Sequence, residues 1–527
     1  MAESDPRAFC DLAAMVAAHA LAQPEALAIV DRDRRVDYGT LDRLVDQVAA
    51  SLQQTGLQPR ETIAICAATC TEYLAVFLGA LRAGITVAPL APSSTTAQLM
   101  DMVRDCRARL LFVDTATALT LDDDHALLPP GVARIHLDAV DGQAPLAPWL
   151  LAQLAVPTPL SIDRAWPFNV IYSSGTTGTP KGIVQSHGMR WELIRHAPLA
   201  AFGTRSVTLV ATPLYSNTTL TTLLPTLAYG GCLVLMAKFD ALGYLQLAQQ
   251  ERATHTMLVP VQYQRLMASD DFGRYDLSSF QIKFCTSAPF RAELKADVLA
   301  RWPGALVEFY GMSEGGGTCI LDAHIFPNKL HTVGKPGAGH DIRLIDENGH
   351  EVPRTPGGAS QDIGEVVGRS PSMMDGYHER PEKTSEAEWF DAEGRRYIRT
   401  GDVGRFDEDG FLILVDRRKD MIISGGFNIY PSDLEAVLLQ HPTVQEAAVV
   451  GAPSPEWGET PVAFVVLRQR EGVSAEALRD WVNAQVGKTQ RLSMLHCVAE
   501  LPRSAIGKVL KRELRDEWIN NPKERTQ

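Results

Sequence analysis

At 527 residues the chain exceeds the size at which one hydrophobic core keeps growing, so at least two domains are expected. Apolar residues make up 45% and charged residues 21%, the balance of a globular protein and not of a disordered one. A formal charge of −13 and the lack of a Lys/Arg-rich stretch argue against nucleic-acid binding, and they require any phosphate site to be built locally from backbone N–H groups and a few cations.

The N-terminal stretch carries acids early and lacks a basic leader followed by an apolar run, so a cytoplasmic protein is expected. From Tyr38 to about Ala237, helix-period segments alternate with short β-branched runs at Thr62–Cys66, Thr86–Ala88, Leu110–Val113 and Val207–Ala211. That alternation predicts a doubly wound α/β core. Leu74–Ala83 is apolar around a full helical turn and ends at Gly84, which predicts a buried helix with a glycine C-cap. No run approaches the roughly 18 to 20 apolar residues that span a bilayer; Cys232–Ala237 is far too short, so no membrane span is expected.

Between about Val333 and Val415 short strands alternate with turn signals such as Asn348-Gly349, Glu393-Gly394 and Asp409-Gly410, which predicts a β-rich, barrel-like subdomain over 333–415. The charged run Asp416-Arg417-Arg418-Lys419-Asp420 marks the expected boundary between an N-terminal domain, 1–418, and a small α+β C-terminal domain, 419–527, with a helix at Ala475–Val486. The eight cysteines form no Cys-x-x-Cys or Cys/His cluster, so they read as reduced, mostly buried thiols.

The most informative segment is Ser173-Ser174-Gly175-Thr176-Thr177-Gly178-Thr179-Pro180-Lys181-Gly182, after the apolar run Phe168–Ile171. Its glycines let backbone N–H groups approach a polyphosphate, and its hydroxyls and lysine add donors. Pro180 and Gly182 stand where a Walker loop needs a glycine and a magnesium-binding hydroxyl, so a conventional P-loop is disfavoured. Composition alone leaves a Gly/Thr-rich surface turn equally open.

This segment resembles the signature loop of the adenylate-forming (AMP-binding) superfamily, which holds acyl-CoA synthetases, adenylation domains of peptide synthetases and luciferases. Further signatures follow in order. Tyr310-Gly311-Met312-Ser313-Glu314 is similar to the family's Tyr-Gly-x-Thr-Glu element, and Tyr397-Ile398-Arg399-Thr400-Gly401-Asp402 to its Tyr-Arg-Thr-Gly-Asp segment. Arg503-Ser504-Ala505-Ile506-Gly507-Lys508 resembles its Arg-Thr-x-x-Gly-Lys motif.

The resemblance implies an ATP-dependent ligase that makes an acyl-adenylate and passes the acyl group to CoA. It implies that Ser173 to Gly178 and Lys181 cradle the phosphates, that Thr176 and Glu314 face Mg²⁺, and that Ser313 bonds phosphate. Tyr310 would stack on adenine, with Gly311, Ser287 and Ala288 completing the nucleotide site, while Asp402 and Arg417 hold the ribose. Lys508 would offset the charge that builds on the α-phosphate, swung in by a mobile C-terminal domain about Lys419. Gly425 and Gly426 would line the pantetheine tunnel. On the residues alone, Asp402 also reads as a turn cap, Lys511, Arg512 and Arg515 as a solvated basic face, and Ser432-x-x-Glu435 as a capping box that makes Glu435 structural.

In the acyl site the resemblance places Tyr215, Ser216, Asn217, Gln262, Met312, Gly316 and Thr318. Ser216 stands where acyl-CoA synthetases commonly carry histidine, and the small or polar set favours a compact acid with a ring or heteroatom over a long alkyl chain. No aspartate stands there to pair with an amino acid's ammonium, which disfavours a stand-alone adenylation domain loading a carrier protein. A catalytically inactive nucleotide-binding relative is the remaining alternative. The expected partners are a small carboxylic acid, ATP and CoA, for a monomer or homodimer.

Overall fold

Thr71–Arg82 forms the helix that the apolar segment predicts, and Gly84 follows it with φ +72°, the left-handed C-terminal turn that glycine adopts without strain. The computed structural model describes all residues except 1–7, 125–126, 139–145, 152–154, 174–180, 354–362, 418–419, 425–426, 455–456, 469–472, 488–489, 505–506 and 521–527; the side chains of 173, 198, 417, 427, 428 and 520 are also outside the description. The chain divides into two units, Met1–Asp341 with Gly368–Ile398, and Ile342–Val367 with Arg399–Gln527.

The first unit is built on two sheets. A nine-stranded sheet runs in the order Lys335–Pro336, Cys319–Asp322, Ala305–Tyr310, Ile282–Cys285, His255–Leu258, Val207–Val210, Cys232–Leu235, Leu27–Asp31, Arg34–Asp37. Its interior pairs are parallel and its edge pairs antiparallel. A seven-stranded sheet runs Gly376–Tyr377, Lys181–Ser186, Pro167–Ser173, Thr86–Leu90, Thr62–Cys66, Ala108–Val113, Ala133–His136. The β-branched runs therefore become central parallel strands, buried along their whole length as at Thr62–Cys66 and Thr86–Leu90. Helices Tyr38–Gln54 and Thr71–Arg82 carry the largest apolar core, with Val45, Val48, Phe77 and Leu81 fully buried. The architecture is the expected doubly wound α/β.

In the second unit, the distal part of strand Arg396–Phe406 pairs antiparallel with Leu412–Arg417. A further sheet runs Phe427–Ile429, Ile422–Ser424, Gly458–Leu467, Val444–Ser454, with Met494–Cys497 parallel to Gly458–Leu467. Helices Pro431–Gln440, Ala475–Asn483 and Lys511–Asn520 cover it through two apolar clusters that include Leu434, Leu438, Val482 and Trp518. This is a small α+β fold.

Two local expectations are corrected. The predicted helix Ala475–Val486 ends at Asn483, where the Asn483 side chain turns out to bridge both backbone groups of Leu492. The Ser432-x-x-Glu435 capping box does not form, because the helix already begins at Pro431 and Ser432 lies inside its first turn. Asp416 Oδ2 accepts the Ser432 N–H at 2.9 Å instead, while Glu435 accepts from Val449 N at 2.8 Å and pairs with Lys511 at 2.7 Å. Among the described residues, no helix is long and apolar enough to cross a membrane.

Candidate active site

The strands on either side of the glycine-rich segment are paired with each other. Strands Pro167–Ser173 and Lys181–Ser186 pair antiparallel, and their register sets Ser173 opposite Lys181. The two ends of the loop are thus held side by side by a ladder whose residues Phe168, Val170, Ile171 and Ile183 are buried. Ser174, Gly175, Thr176, Thr177 and Gly178 lie outside the described residues, and Ser173 is described by its backbone alone.

Lys181 does not point into empty space. Its Nζ lies 5.2 Å from the ring centroid of Tyr377, and the Tyr377 hydroxyl donates to Glu314 Oε1 at 2.9 Å. Burial, reinforced by the neighbouring Glu314 carboxylate, pushes the Tyr377 phenol far above its ordinary pKa, so it stays protonated and remains the donor. Tyr377 was not singled out from the sequence. It belongs to the two-residue strand Gly376–Tyr377, and only its pairing opposite Ile183 carries it to Lys181 and Glu314.

Ser313 and Glu314 follow strand Ala305–Tyr310, which ends with Tyr310 opposite Cys319. Their main chain is clamped. Gln185 Nε2 donates to Ser313 O at 2.6 Å, Met374 N to Glu314 O at 2.8 Å, and Ser370 Oγ to Gly315 O at 2.7 Å. Gly315 has φ +73°, and a Cβ there would sit 1.7 Å from Ser372 O. A Cβ on Gly316 would meet Ile398 Cβ at 2.6 Å, so Gly316 is packed against protein. Met312 packs on the buried cluster of Ile183, Met374 and Ile398, and a Cβ on Gly311 would come within 3.2 Å of Thr318 Oγ1. The glycine run is required by close packing, which its composition alone does not reveal.

Strand Ala305–Tyr310, which precedes this segment, carries one half of a buried ion pair. Lys295 joins Glu308 in a salt bridge and donates to Leu330 O at 2.8 Å and Thr332 O at 3.0 Å. Burial pushes the Glu308 carboxyl up to about 7, and the Lys295 ammonium pulls the other way. Lys283 is also buried and gives its ammonium to the carbonyls of Trp302, Pro303 and Gly304, just past helix Ala292–Arg301.

The remaining expected acyl residues lie in the same unit. Ser216 caps helix Asn217–Ala228, its hydroxyl accepting from Thr218 N at 3.3 Å. A histidine could not replace that short reach without giving up the cap. Thr218 Oγ1 meets Ser287 Oγ at 2.6 Å, and Ser287 holds φ +82°, a left-handed conformation that is strained for a residue with a side chain. Ala288 beside it is partly buried. Asn217 Oδ1 is buried and has no hydrogen-bond partner among the described residues. Burial raises the Tyr215 phenol pKa, and a hydrogen bond with Ser93 works against the shift. Gln262 Nε2 donates to Ala211 O at 2.8 Å, and Oε1 accepts from Val259 N at 3.1 Å. The Thr318 N–H donates to His340 Nδ1 at 2.8 Å. Burial and the nearby His196 depress the His340 pKa, which keeps that nitrogen free to accept.

In the second unit Asp402 stands in a strand and not a turn, directly opposite Arg417 in the ladder, and its N–H donates to Thr400 Oγ1 at 3.0 Å. Lys508 follows Gly507, φ +76°, in a turn closed by Ser504 N to Lys508 O at 2.8 Å. Arg503 fixes that turn from both sides, donating to Gly507 O and Glu446 Oε2, each at 2.7 Å. Of the basic residues beyond it, Lys511 is paired with Glu435, and Arg515 donates to Gly451 O at 3.0 Å, so they brace the unit and do not form a purely solvated face. Lys419, Gly425 and Gly426 lie outside the described residues, as does the Arg417 side chain.

This arrangement matches a known family. The sequence pattern of the AMP-binding enzyme family covers residues 16–378, and that of the AMP-binding enzyme C-terminal domain covers residues 433–508. The chain belongs to the AMP-binding enzyme family, the adenylate-forming enzymes. It is 32% identical to a feruloyl-CoA synthase from an Amycolatopsis species, over 93% of this chain and 96% of that one. It is 30% identical to an indoleacetate–CoA ligase from Aromatoleum aromaticum, over 96% and 98%. Among solved structures, ATP-bound MatB from Rhodopseudomonas palustris superposes with a TM-score of 0.86 at 28% identity, over 97% of this chain and 99% of that one.

Proposed function

We propose that this protein activates a compact, ring-containing carboxylic acid with ATP, forming an acyl-adenylate and pyrophosphate, and then transfers the acyl group to CoA with release of AMP. The observation that carries the reading is the link from Lys181 through Tyr377 to Glu314 where strand Lys181–Ser186 begins. It sets a cation and a carboxylate on either side of one phenol, the pair of charges that a metal-bound triphosphate needs. Relatives whose names specify feruloyl, indoleacetate and 2-succinylbenzoate substrates support a ring acid, as does the small, polar set Ser216, Asn217 and Ser287.

In the first half-reaction the acid needs no general base, being ionised at neutral pH. A carboxylate oxygen attacks the α-phosphorus, and the bond to the pyrophosphate oxygen breaks. Lys181 holds the departing phosphates, Ser313 bonds the phosphate, Tyr310 stacks on adenine, and Asp402 with Arg417 holds the ribose. Lys508 supplies an ammonium against the charge that grows on the α-phosphate. In the second half-reaction a CoA thiolate attacks the acyl carbon, and AMP leaves. Movement of a C-terminal domain, 419–527, about Lys419 would exchange Lys508 for Gly425 and Gly426 beside the thiol.

The residues present fit Mg²⁺. Glu314 offers a hard carboxylate oxygen, and Tyr377 occupies only Oε1. Among the described residues no group of three or more His, Cys, Asp or Glu could hold a metal by itself, so phosphate and water oxygens would complete the shell, as is usual for this ion. Bound there, the ion neutralises phosphate charge. Glu314 and the Thr176 hydroxyl would hold it.

The test is a panel of ferulate, 4-coumarate, indoleacetate, 2-succinylbenzoate and palmitate with ATP, Mg²⁺ and CoA, monitoring pyrophosphate, AMP and thioester. Turnover of one or more ring acids well above palmitate is expected. Turnover of palmitate equal to that of the best ring acid would overturn the substrate class. Adenylate formation without thioester, relieved by a carrier protein, would overturn CoA.

A further inference from the structure

Arg190 is a buried cation without an evident counter-ion. It lies in helix His187–Ile194, directly after strand Lys181–Ser186, and is 4% exposed. Among the described residues it pairs with no carboxylate, its Nε has no hydrogen-bond partner, and burial pulls its pKa down to about 9. Phe168 offers a ring 5.7 Å away. A desolvated guanidinium left this way is costly, so an interior selected only for stability would carry an acid beside it or an apolar residue in its place.

What Arg190 does is set the direction of two buried amides. Nη2 donates to Gln185 Oε1 and, at 3.3 Å, to Asn169 Oδ1. A guanidinium only donates, so both amide oxygens must face it. The Gln185 nitrogen is thereby turned the other way, onto Ser313 O at 2.6 Å. With the amide reversed, donor would face donor at Arg190 and oxygen would face oxygen at Ser313.

The strand that carries Gln185 begins at Lys181, and alternate residues share a face. Each residue on that face engages the same motif: Lys181 reaches Glu314 through Tyr377, Ile183 packs with Met312, and Gln185 holds Ser313. We propose that Arg190 is a positioning residue for the adenylation step, fixing the Gln185 amide so that Ser313 and Glu314 keep their register against Lys181. The inference rests on the function proposed above.

Gln185→Glu separates this role from a structural one. The new carboxylate gives Arg190 a counter-ion at nearly unchanged volume, so the thermal unfolding midpoint stays at or above the wild-type value. The N–H to Ser313 is lost, and a carboxylate oxygen faces the carbonyl instead. In ATP–pyrophosphate exchange the KM for ATP rises about tenfold while the KM for the acid stays within about twofold, and ATP affinity by calorimetry falls in parallel. A folded Gln185→Glu protein with ATP affinity and exchange within about twofold of wild type would overturn the proposal. Arg190→Met and Arg190→Lys provide the second comparison: ATP affinity falls in the first and recovers in part in the second, and equal affinity in both and in wild type would also overturn it. If the wild-type protein exchanges pyrophosphate with no acid, the proposed function fails, and the ATP affinities of the variants still decide the role of Arg190.

Discussion

Lys181 and Glu314 carry opposite charges and meet through a phenol, with no direct contact between them. Tyr377 OH donates to one carboxylate oxygen of Glu314 and does not engage the second, the one proposed to face the metal, while its ring receives the ammonium. Tyr377→Phe keeps the ring and removes only that hydrogen bond. Mg·ATP affinity by calorimetry is expected to weaken by about tenfold with no change in the unfolding midpoint. Lys508 makes a different prediction, because its proposed work is confined to one half-reaction. Lys508→Ala is expected to slow adenylate formation by about a hundredfold or more, while thioester formation from supplied acyl-adenylate is nearly retained. Equal losses in both steps, measured by single turnover, would refute that separation.

At the scale of elements, the Gly315–Gly317 turn is the most constrained segment of the site. Gly315→Ala must move Ser372 O and hold an unfavourable φ, and is expected to cost about 2 to 4 kcal/mol in urea unfolding. The same position shows where sequence reading stops. Hydrophobic pattern and β-branching define strand Thr62–Cys66 and the helix ending before Gly84, because those signals are local. The motif residues were legible for the same reason. Tyr377 was not, since its importance comes from a two-residue strand pairing with Ile183, a distant partner that no local pattern encodes. The Ser432-x-x-Glu435 pattern misled because Pro431 starts the helix one position earlier and leaves Glu435 to Val449 and Lys511.

For the whole molecule, burial of titratable groups sets a pH limit on stability. His187 is 3% exposed, and burial lowers its pKa from 6.5 to about 4. The folded state then binds fewer protons than the unfolded one between these values, so the contribution is complete above about pH 6.5 and is lost as pH falls through about 4. Its full size is about 3 kcal/mol, and the pH dependence of urea unfolding should flatten in His187→Phe across this window. Cys66, Cys70, Cys106 and Cys232 add no competing switch near neutrality, since burial pushes their thiols up to about 12. The proposed function is activation of a ring acid for transfer to CoA. It is tested most directly by mass spectrometry of a reaction holding ATP, Mg²⁺, CoA and ferulate, 4-coumarate, indoleacetate or 2-succinylbenzoate. Stoichiometric AMP and acyl-CoA with at least one of these acids is the predicted result; absence of both adenylate and thioester with every acid, from a protein that binds ATP, would contradict it.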